Sequence, residues 1–193
     1  MPERGKGTPR TAKPNRGPAA GPENRRALIA AAREVFAADG LQAPFSAVAK
    51  KAGVGQGSLY RHFPDRLSLA VAVFDENIDD LEATVAPPEA TLDDLLDAVI
   101  GQVVVSTALI DLMWRNQDDQ RVTHLSDRLA RIAETVLTRE QAAGRIGEHV
   151  EVADVLLAVT MLADVISRAD AAERSDVARR AWSLLHAAFT PRT

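Results

Sequence analysis

Ala52-Gly53-Val54-Gly55-Gln56-Gly57-Ser58-Leu59-Tyr60-Arg61-His62-Phe63-Pro64 is the stretch that decides the fold. It opens at the end of a short helix expected over about Ser46 to Ala52, with Val48, Ala49 and Ala52 turned inward. Gly53 supplies a tight turn of the kind a residue without a Cβ enters easily. A second short helix follows over about Gln56 to His62, and Pro64 breaks the chain behind it. Leu59 and Phe63 share its inner face and anchor it, leaving polar, aromatic and cationic groups outside. Two short helices joined by a glycine turn, the second with a polar and basic free face, have the layout of a helix-turn-helix. Such a unit places its second helix in the DNA major groove.

The free face can be read residue by residue. Gln56 and Ser58 lie on the first turn of the second helix, where this motif reaches base edges; Gln pairs with adenine and Ser serves either base type. Gly57 lets the helix start approach DNA closely. Tyr60 and His62 offer hydrogen bonds to phosphate oxygens, which set register. Lys50, Lys51, Arg61 and Arg66 add general attraction to phosphates.

Outward from this centre the pattern stays helical. Leu28, Ala32, Val35 and Phe36 share one face of a helix over about Glu23 to Ala38, which Gly40 stops. Asp65 can cap a fourth helix over about Arg66 to Thr84, where Leu67, Val71, Phe74, Ile78 and Leu81 form one apolar stripe. That stripe should pack along two neighbours and connect both parts of the protein. Pro87-Pro88 ends it, and Thr91 caps a helix running to about Trp114. Further helices are expected over about Leu125 to Ala143, Glu151 to Arg168 and Arg174 to Ala188, with a polar turn at 116–120. Nine or so helices with no alternating strand pattern make an all-α fold.

Charge divides the chain. Residues 1–66 hold 12 Lys/Arg against 5 Asp/Glu, a net of +7, whereas residues 67–193 hold 11 against 22, a net of −11. The N-terminal third is suited to a polyanion and the remainder is not. Residues 1–22 carry five prolines, four glycines and no large hydrophobe after Met1, so a disordered basic arm is expected there. Cysteine is absent, which excludes disulfides and thiolate metal sites and suits a reducing cytoplasm. No signal peptide is visible, and the longest uncharged run, Ala98 to Ile110, has 13 residues, short of the roughly 20 a membrane helix needs. His62, His124, His149 and His186 are scattered without metal-ligand spacing. Neither enzymatic activity, a metal nor a cofactor is expected.

The stretch from Ala52 to Pro64 resembles the signature of TetR-type transcriptional regulators, and the likeness extends over about Arg26 to Phe74, taking in Val35-Phe36, Gly40, Leu41 and Ala43. The resemblance implies a homodimer in which an N-terminal helix-turn-helix domain (23–66) is followed by a larger helical effector-binding and dimerisation domain (67–193). Gln56, Gly57, Ser58, Tyr60 and His62 fall on DNA-contact positions of that family, and Arg66 stands where a lysine is usual and should touch phosphate. In one departure, Pro44-Phe45 stands where the family often has a threonine that caps the second helix and touches phosphate; Pro44 can still start the helix, but the hydroxyl contact is lost, and Ser46 is the candidate to replace it.

By the same resemblance the last two helices dimerise, through Val155, Val159, Leu162 and Ile166 and then Ala181, Leu184, Leu185 and Ala188. The middle helices surround an effector pocket, for which Val103, Thr107, Ile110, Asp111, Trp114, His124 and Met161 are candidates. The implied partners are a near-palindromic double-stranded DNA operator, an unidentified small molecule and a second copy of the chain. Repression relieved by the effector is the family expectation. The alternative is a constitutive or architectural DNA-binding protein without a ligand.

Overall fold

Residues 21–40, 43–170 and 172–192 are described by the computed structural model, side chains 103–111 and 114 excepted. They form eight helices: α1 (Gly21–Asp39), α2 (Phe45–Ala52), α3 (Gln56–His62), α4 (Arg66–Val85), α5 (Leu92–Trp114), α6 (Gln120–Ala142), α7 (Val152–Arg168) and α8 (Arg174–Phe189). The fold is all-α, with eight helices among the described residues where nine or so were expected. The expected basic arm lies outside the described residues up to residue 20, but Gly21 and Pro22, counted into it, open α1. Proline is at home in a first helical turn, where its missing N–H costs nothing. No helix among the described residues is long and apolar enough to cross a membrane.

Side-chain caps set the starts of α4, α5 and α6. Asp65 Oδ1 accepts from the Ser68 amide at 2.6 Å while Ser68 Oγ accepts from the Asp65 amide, closing a capping box on α4. Thr91 and Asp94 do the same for α5, and these bonds hold the Asp94 carboxyl below its usual range. α6 begins five residues before the expected Leu125, because Asp119 caps it: its carboxylate accepts from the Arg121 amide at 2.9 Å and from the Arg121 guanidinium at 2.9 and 2.8 Å. That capping aspartate sits in a polar run which reads as turn until its partner is known.

Two hydrophobic clusters organise the chain. The smaller joins α1, α2 and α3 through Leu28, Ile29, Phe36, Val48, Leu59 and Phe63. The larger joins α4 to α8 through Ile78, Leu95, Val136, Leu162 and Trp182, among others. α4 serves both: Leu69, Ala70 and Val73 pack in the first, while Ile78, Leu81 and Val85 pack in the second. A division at residue 66 therefore cuts ahead of residues that fill the smaller core.

α6 is strapped along α4 by three arginines. Arg121 approaches Asp65 at 3.7 Å; Arg128 meets Asp75, Asp79 and Glu82 at 3.0, 2.6 and 2.9 Å; Arg139 donates to the Val85 and Pro87 carbonyls at 2.8 and 3.0 Å. The last contact satisfies carbonyls that the end of α4 leaves without a helical donor.

Candidate nucleic-acid interface

The reading head is built on the α2–α3 corner. Gly53 takes a left-handed conformation (φ +67°), and the Gly53 and Val54 amides return to the Lys50 and Ala49 carbonyls at 3.2 and 3.0 Å. That is a Schellman closure, and it turns the chain sharply enough for α3 to start three residues later. Leu59 is fully buried and Phe63 is 2% exposed, so α3 is riveted to the smaller core by its inner face. Burial of each such side chain contributes roughly 1.5–3 kcal/mol.

The outer face of α3 is left to solvent. Gln56 and Gly57 are exposed, and a Cβ at Gly57 would meet nothing within 4 Å. Tyr60 is 52% exposed, its ring set edge-on against Phe45 at 5.5 Å. Ser58 is half-buried and its Oγ accepts from Arg61 at 3.0 Å. Lys50 is exposed beside a shallow depression shared with Pro44, Ser46 and Gln56. Lys51 is also exposed but is paired with Glu34 at 2.6 Å.

Two expected phosphate contacts have internal roles here. His62 is half-buried, with its Nε2 enclosed and without a hydrogen-bond partner among the described residues, so that nitrogen is turned into the protein rather than toward a phosphate. Arg66 donates to the Ala43 carbonyl at 2.6 Å and lies over the Phe36 and Phe45 rings, each at 5.8 Å. It pins the chain leading into α2. Pro44 occupies the N-cap of α2 with no side-chain cap, and Ser46 is half-buried beside it. Sequence reasoning missed the Phe45–Tyr60 contact that orients the exposed phenol. Its only trace was an aromatic residue at the start of α2.

Below the head, a cavity of about 340 Å³ lies between α4, α5, α6 and α7. Its wall is mostly apolar: Phe74, Ile78 and Leu81 from α4, Val99 and Met113 from α5, Val122, Leu125 and Leu129 from α6, and Leu156, Val159 and Ala163 from α7. Asn77, Gln102, Gln117, Ser126 and Thr160 supply polar atoms. Of the pocket residues expected from sequence, the side chains of Val103, Thr107, Ile110, Asp111 and Trp114 lie outside the described residues. His124 and Met161 are exposed and do not line this cavity; Leu125 and Thr160, each one position away, do. A helix turns by about 100° per residue, so a neighbour in sequence faces elsewhere. The α4 wall was not anticipated at all, because its apolar stripe was assigned wholly to packing.

The expected dimer stripes divide in the same way. Val155, Leu162 and Ile166 are fully buried within the single chain and belong to its core. Val159 lines the cavity, and Ala181 and Leu185 are half-buried. Leu184 (71% exposed) and Ala188 do face solvent, and on α7 the outward apolar residues are Leu157, Met161 and Val165. No group of acidic, histidine or cysteine residues able to hold a metal occurs among the described residues.

Known proteins share this architecture. Residues 28–73, spanning α1 to the first half of α4, match the family described as "Bacterial regulatory proteins, tetR family". The chain is 31% identical over 137 residues to the HTH-type transcriptional regulator SrpR of Pseudomonas putida, covering 64% of each protein. It is 38% identical over 85 residues to the uncharacterized HTH-type transcriptional regulator TtgW, also of Pseudomonas putida, covering 40% of this chain and 63% of that one. The matches thus span somewhat under two thirds of these curated relatives' lengths. Among solved structures, the TetR transcriptional regulator SCO0520 of Streptomyces coelicolor superposes with a TM-score of 0.66 at 25% identity, over 88% of this chain and 99% of that one. Residues 28–73 thus match the tetR family of bacterial regulatory proteins in sequence, and most of the chain's length matches a TetR transcriptional regulator in fold.

Proposed function

We propose that this protein is a transcriptional repressor that binds a near-palindromic operator as a homodimer and is released by a small molecule held in the cavity between α4 and α7. The observation that carries the DNA-binding part is the asymmetry of α3. Leu59 and Phe63 lock its inner face, while Gln56, Gly57 and the half-exposed Tyr60 are free on the outer face. Gln56 and Ser58 read base edges, while Tyr60, Lys50 and Lys51 engage phosphates. Pairing through the outward residues of α7 and α8 presents two such helices to successive major grooves.

The effector acts through α4, which shares one core with the head and forms a wall of the cavity. A ligand that binds one arrangement of α4 better than the other shifts the pair of α3 helices away from operator spacing. A coupling of ~1–3 kcal/mol weakens DNA binding by roughly 5- to 150-fold. The test begins with sequencing the DNA that the purified protein selects from a random pool. A two-fold-symmetric site is expected, and Tyr60→Ala should lose it with helicity and melting temperature unchanged. Equal selection by the variant would sink the assignment of α3.

A further inference from the structure

Among the polar side chains described in the cavity wall, Asn77 has its orientation fixed from outside the cavity. Asn77 lies in its wall among Phe74, Ile78 and Leu81, and is 5% exposed. An amide side chain has a donor end and an acceptor end, and here the orientation is forced. Arg33 of α1 places Nη2 2.8 Å from one Asn77 side-chain atom. A guanidinium only donates, so that atom is the oxygen. Arg33 is also held by Glu76 and by the Val73 carbonyl, both at 3.4 Å, so it does not vacate the position readily. Flipping the amide would set donor against donor.

The Asn77 Nδ2 group is therefore the end left for the cavity, and it has no hydrogen-bond partner among the described residues. Gln102 is tied to the same residue by its other end, its Nε2 donating to the Asn77 backbone carbonyl at 2.9 Å. That N–H group opens on the cavity rather than being sealed in the protein, so an occupant that supplies an acceptor gains a hydrogen bond there. Among the described residues no charged side chain lines the cavity, and these side chains offer no opposite charge to offset the hydration a charged group would lose.

We propose that the cavity selects an uncharged, mainly apolar molecule carrying one hydrogen-bond acceptor, such as a ketone or ether oxygen, and that Asn77 Nδ2 is the donor that reads it. This rests on the cavity being the effector site. Because Asn77 is bound on its other side by Arg33, the same amide touches both the ligand and α1 of the head.

Equilibrium dialysis of the full chain against four compounds of one shape tests this: benzophenone, diphenylmethane, diphenylacetate and benzhydrylamine. Benzophenone should bind roughly tenfold more tightly than diphenylmethane, the worth of one hydrogen bond. The anion and the cation should fail to compete. Asn77→Asp keeps an oxygen for Arg33 and nearly the same shape but has no N–H. It should erase the ketone's advantage over diphenylmethane. The proposal is overturned if a charged compound binds best, if ketone and hydrocarbon bind alike, if the preference survives in Asn77→Asp, or if none binds. Adding benzophenone to the operator complex separates the two readings. Ketone binding without DNA release would sink the effector role and leave the ligand assignment standing.

Discussion

Replacing Arg128 by methionine removes the strap between α6 and α4 while keeping much of the side chain's apolar stem. The guanidinium meets Asp75, Asp79 and Glu82 at 3.0, 2.6 and 2.9 Å; its own side chain is 14% exposed and the three carboxylates are 41%, 65% and 48% exposed. Pairs this open to water are worth only ~0.2–1 kcal/mol each. The cation also quiets repulsion along α4, since Asp75, Asp79 and Glu82 follow one another at helical spacings. Each like-charge neighbour pair costs ~0.2–0.5 kcal/mol once uncovered. Together these give a loss of about 2 kcal/mol, or roughly 4–8 °C in melting temperature for a chain of this size. The hydrogen bonds from Arg128 to Glu82 and Asp79 push its pKa further above the ordinary arginine value, so it is charged under all conditions of the assay. Urea unfolding at fixed protein concentration should show the loss at low salt. At about 1 M salt, where the screening length is ~3 Å, it should shrink by half or more. A double-mutant cycle with Asp79→Asn isolates the shortest pair. Equal destabilisation at both salt concentrations, or a loss below ~0.5 kcal/mol, would refute the reasoning and make Arg128 a packing residue.

Three further outcomes are expected. Gly53→Ala should cost ~1–2 kcal/mol, because φ is +67° although a Cβ there has open space, and Gly53→Asn should cost less; equal stability of the two variants in urea would contradict a conformational origin. The Asp119 carboxyl is held down at about 2, chiefly by the Arg121 side-chain hydrogen bond. Its lowered folded value means that its contribution is complete above the unfolded value and is lost as pH falls toward the folded one; the stability advantage over Asp119→Asn should be flat at neutral pH and decline below about pH 4, and a pH-independent difference would exclude the role given to its charge. Met161→Glu with Leu184→Glu should convert the proposed dimer to monomer in sedimentation with helicity intact, since each apolar side chain withdrawn from an interface is worth ~1.5–3 kcal/mol and two-fold symmetry doubles the count; an unchanged sedimentation coefficient would remove α7 and α8 from the interface.

Local rules carried the sequence reading a long way. Helix starts marked by Asp65 and Thr91, the glycine corner at Gly53 and the bounds of α3 were legible because each depends on residues within a few positions of one another. The Leu59–Phe63 face was legible for the same reason, as helical spacing alone puts both side chains on one side. Asp119 escaped notice because its value as a cap depends on the Arg121 fork that closes on it.

What the amino-acid order determined by itself was the all-α class, the reading head and the charge split, all of which follow from short-range periodicity and composition. Only the tertiary structure decided which side of each amphipathic helix faces a core, a cavity or solvent. Val155, Leu162 and Met161 share one apolar helix, yet the first two are sealed in the core and the third is 46% exposed. Asn77 became a cavity donor only when Arg33, forty-four residues away in the chain, fixed its amide. Periodicity specifies that a helix has an apolar side, but the partner packed against that side is set by contacts distant in sequence, and those form only when the helices assemble.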